Sequence, residues 1–179
     1  MNRFILADAN KCIGCRTCEV ACAVAHRADG DVTALNNANF HPRIHVVKGA
    51  DISTAATCRQ CEDAPCANVC PNHAIRHEHG FVHVLQEHCI GCKTCVLACP
   101  YGAMDVVVNQ VVSASSTANL LINKAQANKC DLCYTRGQGP ACIEVCPTNA
   151  LRCVDRAELE KLSAERRRRT ALEAGALYI

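Results

Sequence analysis

Apolar positions along this chain come in short runs of four or five residues, and most of these runs border loops dense in cysteine. Phe4 lies eight residues before Cys12 and Phe81 eight before Cys89, each opening an apolar run that predicts a strand leading into a cysteine loop. Ala74 to His77, a turn at Glu78-His79-Gly80, and Phe81 to Leu85 predict a β-hairpin. Arg43 to Val47 predicts a further strand amid polar loops, and Ala74-Ile75, Ala103-Met104 and Ala150-Leu151 read as return strands. The stretch from Ser113 to Asn128 reads as an insertion, a loop that could face a partner. Near the C-terminus, Asp155 followed by Glu158 is a helix-start signature, with Leu159 and Leu162 as the inward face.

These runs alone make a thin core. Across 179 residues there are three Phe, three Tyr and no Trp, so the side chains that usually dominate buried area are scarce. The chain has seventeen cysteines, a density expected of disulfide-stapled secreted domains or of metal proteins. Met1 to Asp8 carries only a short apolar patch and lacks a signal-peptide core, and no stretch approaches the roughly 18 apolar residues of a membrane span. The expectation is a soluble cytoplasmic protein, where cysteines are more often ligands than disulfides. A formal charge of +2 gives no support to nucleic-acid binding.

Sixteen of the cysteines fall into four quartets: Cys12, Cys15, Cys18, Cys22; Cys58, Cys61, Cys66, Cys70; Cys89, Cys92, Cys95, Cys99; and Cys130, Cys133, Cys142, Cys146. The first and third follow the C-x2-C-x2-C-x3-C run in which three thiolates grip one 4Fe-4S cube and the fourth ligates a partner cluster. The second and fourth keep both ends of that pattern and lengthen the middle with turn residues, among them Pro65, Gly137, Gly139 and Pro140. Gly14 and Gly91, between first and second cysteines, allow the backbone to approach closely. Three quartets end in Cys-Pro, at Pro71, Pro100 and Pro147, where proline bars helix continuation. The first has Ala23 instead, which predicts a helix running on toward His26. Ala9-Asn10-Lys11-Cys12 recurs as Ala127-Asn128-Lys129-Cys130, and residues 58 to 104 read as a self-contained two-cluster unit.

Structural zinc is the rival reading, because it also favours C-x2-C pairs, but zinc sites combine two separated pairs rather than three cysteines at i, i+3, i+6 with a fourth at i+10. Cys153 stands outside every quartet as a buried apolar cysteine or an extra ligand. His73, His77, His79 and His83 match no metal motif, and alternation puts His77, His79 and His83 on one exposed strand face, with cluster tuning or proton relay as the other reading. Arg16 and Lys93 occupy equivalent positions, as solvated charges or as cations that raise a cluster's potential. Arg166 to Arg169 form a basic run that is a hydrated helix face or a docking surface for an acidic partner.

The quartets, with Cys12-Ile-Gly-Cys-Arg-Thr-Cys-Glu-Val-Ala-Cys22, Cys58-Arg-Gln-Cys-Glu-Asp-Ala-Pro-Cys-Ala-Asn-Val-Cys-Pro71 and Cys130-Asp-Leu-Cys133, resemble the four-cluster iron-sulfur subunit family of molybdopterin oxidoreductases, in particular its electron-transport type associated with formate dehydrogenase H. The resemblance spans essentially the whole chain. It implies an α+β fold of two pseudo-symmetric ferredoxin-like halves, with loop insertions and a C-terminal helix, over a cluster domain at 1–154 and a helix and tail at 155–179. It also implies that the first and fourth quartets build one half and the second and third the other, each half exchanging the fourth cysteines of its two quartets. The four 4Fe-4S sites would then be Cys12/Cys15/Cys18/Cys146, Cys130/Cys133/Cys142/Cys22, Cys58/Cys61/Cys66/Cys99 and Cys89/Cys92/Cys95/Cys70.

No nucleotide fingerprint and no nucleophile-base pair separable from the quartets is present, so the chain reads as an electron carrier rather than an enzyme. The resemblance implies a relay that links the catalytic subunit of a molybdopterin formate dehydrogenase with a hydrogenase or other acceptor. A maturation factor for formate dehydrogenase and a self-assembling homo-oligomeric wire are the alternatives.

Overall fold

The computed structural model describes residues 2–112 and 121–176. In chain order the elements are β1 (Phe4–Ala7), α1 (Thr17–Ala25), β2 (His45–Lys48), β3 (Ser53–Ala56), α2 (Pro65–Asn68), β4 (Ile75–Glu78), β5 (Phe81–Val84), α3 (Thr94–Ala98), β6 (Asp105–Val112), β7 (Leu121–Asn128), α4 (Ala141–Glu144), β8 (Leu151–Val154) and α5 (Arg156–Ala176). The architecture is mixed α and β, with four two-stranded antiparallel sheets: β1 with β8, β2 with β3, β4 with β5 and β6 with β7.

Proline decides where the helices begin and stop. Pro65 opens α2, and Cys99, which ends α3, turns extended (ψ 112°) because Pro100 follows it. No proline follows Cys22, so α1 continues to its cap at His26 as expected. Helix α1 packs on α4 and α2 on α3. Asp155 caps α5, its Oδ1 accepting from the Glu158 N–H at 3.0 Å, while the run Arg166 to Arg169 lies exposed.

The expected hairpin forms with His79-Gly80 at the turn and Glu78 opposite Phe81. Its register corrects the exposed-face reading of His83. Opposed residues share a face, and His83 opposes Arg76 while His77 opposes Val82. His83 is buried against the edge of Phe81 (centroids 5.7 Å apart) and bonded to Glu78 at 3.0 Å. The segment Ser113 to Asn128, read as a loop, also needs correction: its second half is β7, paired along its whole length from Asp105↔Asn128 to Val112↔Leu121. Residues 113–120 lie outside the described residues.

Two apolar cores result. One gathers Ile5, Ile44, Val46, Phe81, Leu132 and Leu151. The other gathers Ile75, Val82, Met104 and Ala127. Phe81 and Val82 are each 1% exposed yet belong to different cores, because neighbouring strand residues point to opposite faces. Each such side chain contributes about 1.5–3 kcal/mol. In both cores cysteines complete the packing.

Candidate iron-sulfur centres

Three small cavities have the same size, about 20 Å³, and each is lined by four cysteines. One takes Cys12, Cys15 and Cys18 with Cys146; another Cys58, Cys61 and Cys66 with Cys99; the third Cys89, Cys92 and Cys95 with Cys70. Each thus draws three sulfurs from one loop and the fourth from another. The fourth group converges as well: Cys22, Cys130 and Cys142 share one core, and the His26 imidazole lies 3.8 Å from Cys22 Sγ and 4.0 Å from Cys133 Sγ. Cys58 packs against this same core, so the Cys58 and Cys130 groups adjoin.

All seventeen cysteines are free thiols. Cys153 is half-buried on β8 opposite Ile5, outside all four groups. Burial pushes the thiols of Cys18, Cys66 and Cys95 up to about 11, and burial together with the charges of Cys130 and Cys22 drives Cys142 higher still. Sulfurs so disfavoured as anions become thiolates against a positive metal centre. Four thiols converging on one small cavity form a donor set that fits an iron-sulfur cube.

The loops also supply donors to sulfur, in matched pairs. The Ala74 and Ala150 N–H groups donate to Cys70 and Cys146, both at 3.3 Å. The hydroxyls of Thr17 and Thr94 donate to Cys15 at 3.3 Å and Cys92 at 3.4 Å, lowering both thiols. Ala127 N–H reaches Cys89, and Arg43 N–H reaches Cys22, both at 3.3 Å. Such bonds favour the charged sulfur and tune the potential of a bound cluster. Gly91 (φ +68°) lets the Cys89 loop lie on β7, where a Cβ would come within 2.5 Å of the Ala125 Cβ.

Among the quartets only Cys15 and Cys92 are exposed. Each is followed by a cation in the left-handed region, Arg16 (φ 64°) and Lys93 (φ 67°), and preceded by a glycine and an exposed isoleucine, Ile13 or Ile90. These are matched surface windows onto the Cys12 and Cys89 groups.

Sequence reasoning missed the polar framework behind the cysteines. Asp131 accepts from the Cys133 N–H at 2.9 Å, meets His26 Nε2 at 3.0 Å and pairs with Arg43 at 2.6 Å. Burial works against the Asp131 charge, but His26 and Arg43 outweigh it and hold the carboxyl well below the usual carboxylate range. Gln60, 2% exposed, bonds the carbonyl of Cys130, and Lys129, 3% exposed, bonds Gln60 in turn. The repeated Ala-Asn-Lys-Cys string was the only signal pointing at Lys129.

Comparison with known proteins agrees with the resemblance read from the quartets. A 4Fe-4S dicluster domain matches residues 51–156, and a 4Fe-4S binding domain matches residues 9–25. The chain is 67% identical over 173 residues to the "Electron transport protein HydN" of Escherichia coli (strain K12), covering 96% of this chain and 99% of that one. It is 58% identical to a "Frd operon probable iron-sulfur subunit" of Proteus vulgaris, over 85% of this chain and 98% of the relative. To an "Iron-sulfur protein" of Rhodospirillum rubrum it is 43% identical, over 86% and 83% of the two chains. With a match across more than half its length and full-length relatives of this identity, the chain belongs to the 4Fe-4S dicluster domain family.

Proposed function

We propose that this chain is an electron-transfer protein that holds four 4Fe-4S clusters on its sixteen quartet cysteines, in the exchanged sets implied by the resemblance, and leaves substrate conversion to partners. The supporting observation is the three like-sized cavities, each closed by a fourth cysteine from a different loop. Bound clusters of this kind supply one-electron redox chemistry, at potentials governed by nearby charge, hydrogen bonds and solvent exposure. The chain's residues provide those controls. Thr17 and Thr94 steady the exposed sulfurs, Ala74 and Ala150 the half-buried ones, and the Asp131 network holds the Cys133 loop.

In this reading residues 1–154 form the cluster domain, with α1 and α4 in one ferredoxin-like half and α2 and α3 in the other, and 155–179 a helix and tail. The Cys15 and Cys92 windows are where partners dock, with Ile13 and Ile90, 64% and 61% exposed, as their contact points. The name of the Escherichia coli relative supports electron transport. The partners we propose are the catalytic subunit of a molybdopterin formate dehydrogenase on one side and a hydrogenase or other acceptor on the other, in the cytoplasm. Among the described residues no helix is long and apolar enough to cross a membrane.

Anaerobic reconstitution tests this directly. About sixteen irons per chain and low-temperature EPR signals on reduction are expected. Fewer than about twelve irons, zinc in their place, or no EPR signal would end the reading. A ligand substitution such as Cys15→Ser then separates relay from maturation: a relay variant slows electron flow between enzymes that are already active, whereas a maturation variant leaves them untouched.

A further inference from the structure

Lys129 is buried, yet the partners of its ammonium are neutral. It donates to Gln60 Oε1 at 3.2 Å, to Cys130 O at 2.8 Å and to Val82 O. A buried cation is retained where an anion answers it. The acid two residues on, Asp131, is already engaged by Arg43 and His26. The anionic chemistry left to answer it is sulfur, because Lys129 lines the cavity of Cys58, Cys61, Cys66 and Cys99. Its own backbone leads into Cys130, and the Cys58 and Cys130 groups adjoin through one core. The lysine therefore sits at the junction of two cysteine groups.

Its burial is particular to this position. Lys11 occupies the same place in the same tetrapeptide before Cys12 and is exposed. The residue before Cys58 is the neutral Thr57, and the one before Cys89 is the exposed His88.

We propose that Lys129 is a fixed counter-cation shared by the two adjoining inner cluster sites, Cys58/Cys61/Cys66/Cys99 and Cys22/Cys130/Cys133/Cys142, raising their reduction potentials above those they would otherwise have. This rests on the electron-transfer reading above. Each reduction adds a negative charge, and a desolvated cation at short range favours the more negative state far more than a solvated one does. Three acceptors pin the ammonium, so it answers the added charge without reorganising. An electron moving between the outer windows then meets a favourable resting place at the centre of the chain.

The test compares Lys129→Met, Lys129→Gln and Lys129→Arg with Lys11→Met as a surface control, each reconstituted anaerobically, assayed for iron and titrated by EPR-monitored potentiometry. The two neutral variants should shift at least one couple downward by tenfold or more in its reduction equilibrium, 59 mV for one electron. Lys129→Arg and Lys11→Met should stay within threefold of the parent. Iron loss confined to the neutral variants also supports the proposal, since charge is what separates them from arginine. Unchanged potentials in the iron-replete neutral variants overturn it, as do equal shifts, or iron loss, in all three Lys129 variants, which would assign the residue to packing. Failure of the electron-transfer reading itself would show earlier, as a parent protein without iron or without a redox signal.

Discussion

Gln60 donates its side-chain amide to the carbonyl of Cys130 at 2.8 Å, joining two cysteine loops that are 70 residues apart in sequence. The same side chain accepts from the Val82 N–H at 2.9 Å, so it is a polar strut between the Cys58 loop, the Cys130 loop and β5. Gln60→Ala leaves Val82 N–H and Lys129 each short of an acceptor. Each buried group so orphaned costs about 1–3 kcal/mol. The reconstituted variant should lose its visible iron-sulfur absorbance at clearly lower guanidinium than the parent. An unchanged midpoint would mean that water replaces the amide and that the strut is dispensable.

Gly91 and Gly14 hold equivalent places, both at φ +68°, but meet different neighbours. A methyl at 91 strikes the Ala125 Cβ at 2.5 Å and the Ala125 carbonyl oxygen at 3.1 Å, both fixed in β7. At 14 it meets the Ser53 hydroxyl at 2.8 Å and the end of Lys48, which can move aside. The left-handed backbone strains both variants by about 1–2 kcal/mol, and only Gly91→Ala adds a clash that nothing can relieve. Gly91→Ala should reconstitute with about four irons fewer, while Gly14→Ala keeps its full complement at slightly lower stability. Iron analysis beside the parent decides it.

The grouping of the cysteines was legible because it is local: each of the three cavities takes three of its four sulfurs from one short loop, and that leaves a fixed spacing in the sequence. The β4–β5 hairpin was legible through Gly80 for the same reason. Strand β7 was not. Leu-Ile-Asn-Lys-Ala-Gln-Ala-Asn has no apolar alternation strong enough to mark it, and it is held by pairing with β6 and by Ala125 on Gly91. His83 was misplaced because a two-residue turn resets which residues share a face, and parity counted along the sequence misses that. Lys129 and Gln60 were the hardest to read, since burial of such residues contradicts their usual preference and makes sense only once two loops converge.

Cys153 and Cys99 offer a matched pair for the ligand assignment. Cys153 lies outside every cysteine group on β8, while Cys99 completes the cavity of Cys58, Cys61 and Cys66. Cys153→Ser should keep the parent's iron content and EPR signals. Cys99→Ser should lose one cluster or convert it to a species with altered EPR. Iron loss from Cys153→Ser would show that the seventeenth cysteine is a ligand, and an unaltered Cys99→Ser would remove Cys99 from the set.

Asp131 organises a stretch of chain far from it in sequence. Its Oδ2 pairs with Arg43 at 2.6 Å, and Arg43 Nε donates to Asn128 at 3.0 Å, whose side-chain amide donates to the Pro42 carbonyl at 3.2 Å. The loop between α1 and β2, with few apolar anchors of its own, is thereby fastened to the Cys130 group at its C-terminal end and through His26 at its start. Removing one partner of a largely buried pair strands the other's charge, so Asp131→Ala should cost about 3 kcal/mol. The loop should then become the first site of limited proteolysis, with cleavage between residues 27 and 42. Arg43→Met combined with Asp131→Ala should cost little more than Asp131→Ala alone, because the stranded guanidinium is gone. Strictly additive costs, or a loop no more protease-sensitive than in the parent, would show that the ion pair is incidental and that cysteine ligation alone holds this part of the chain.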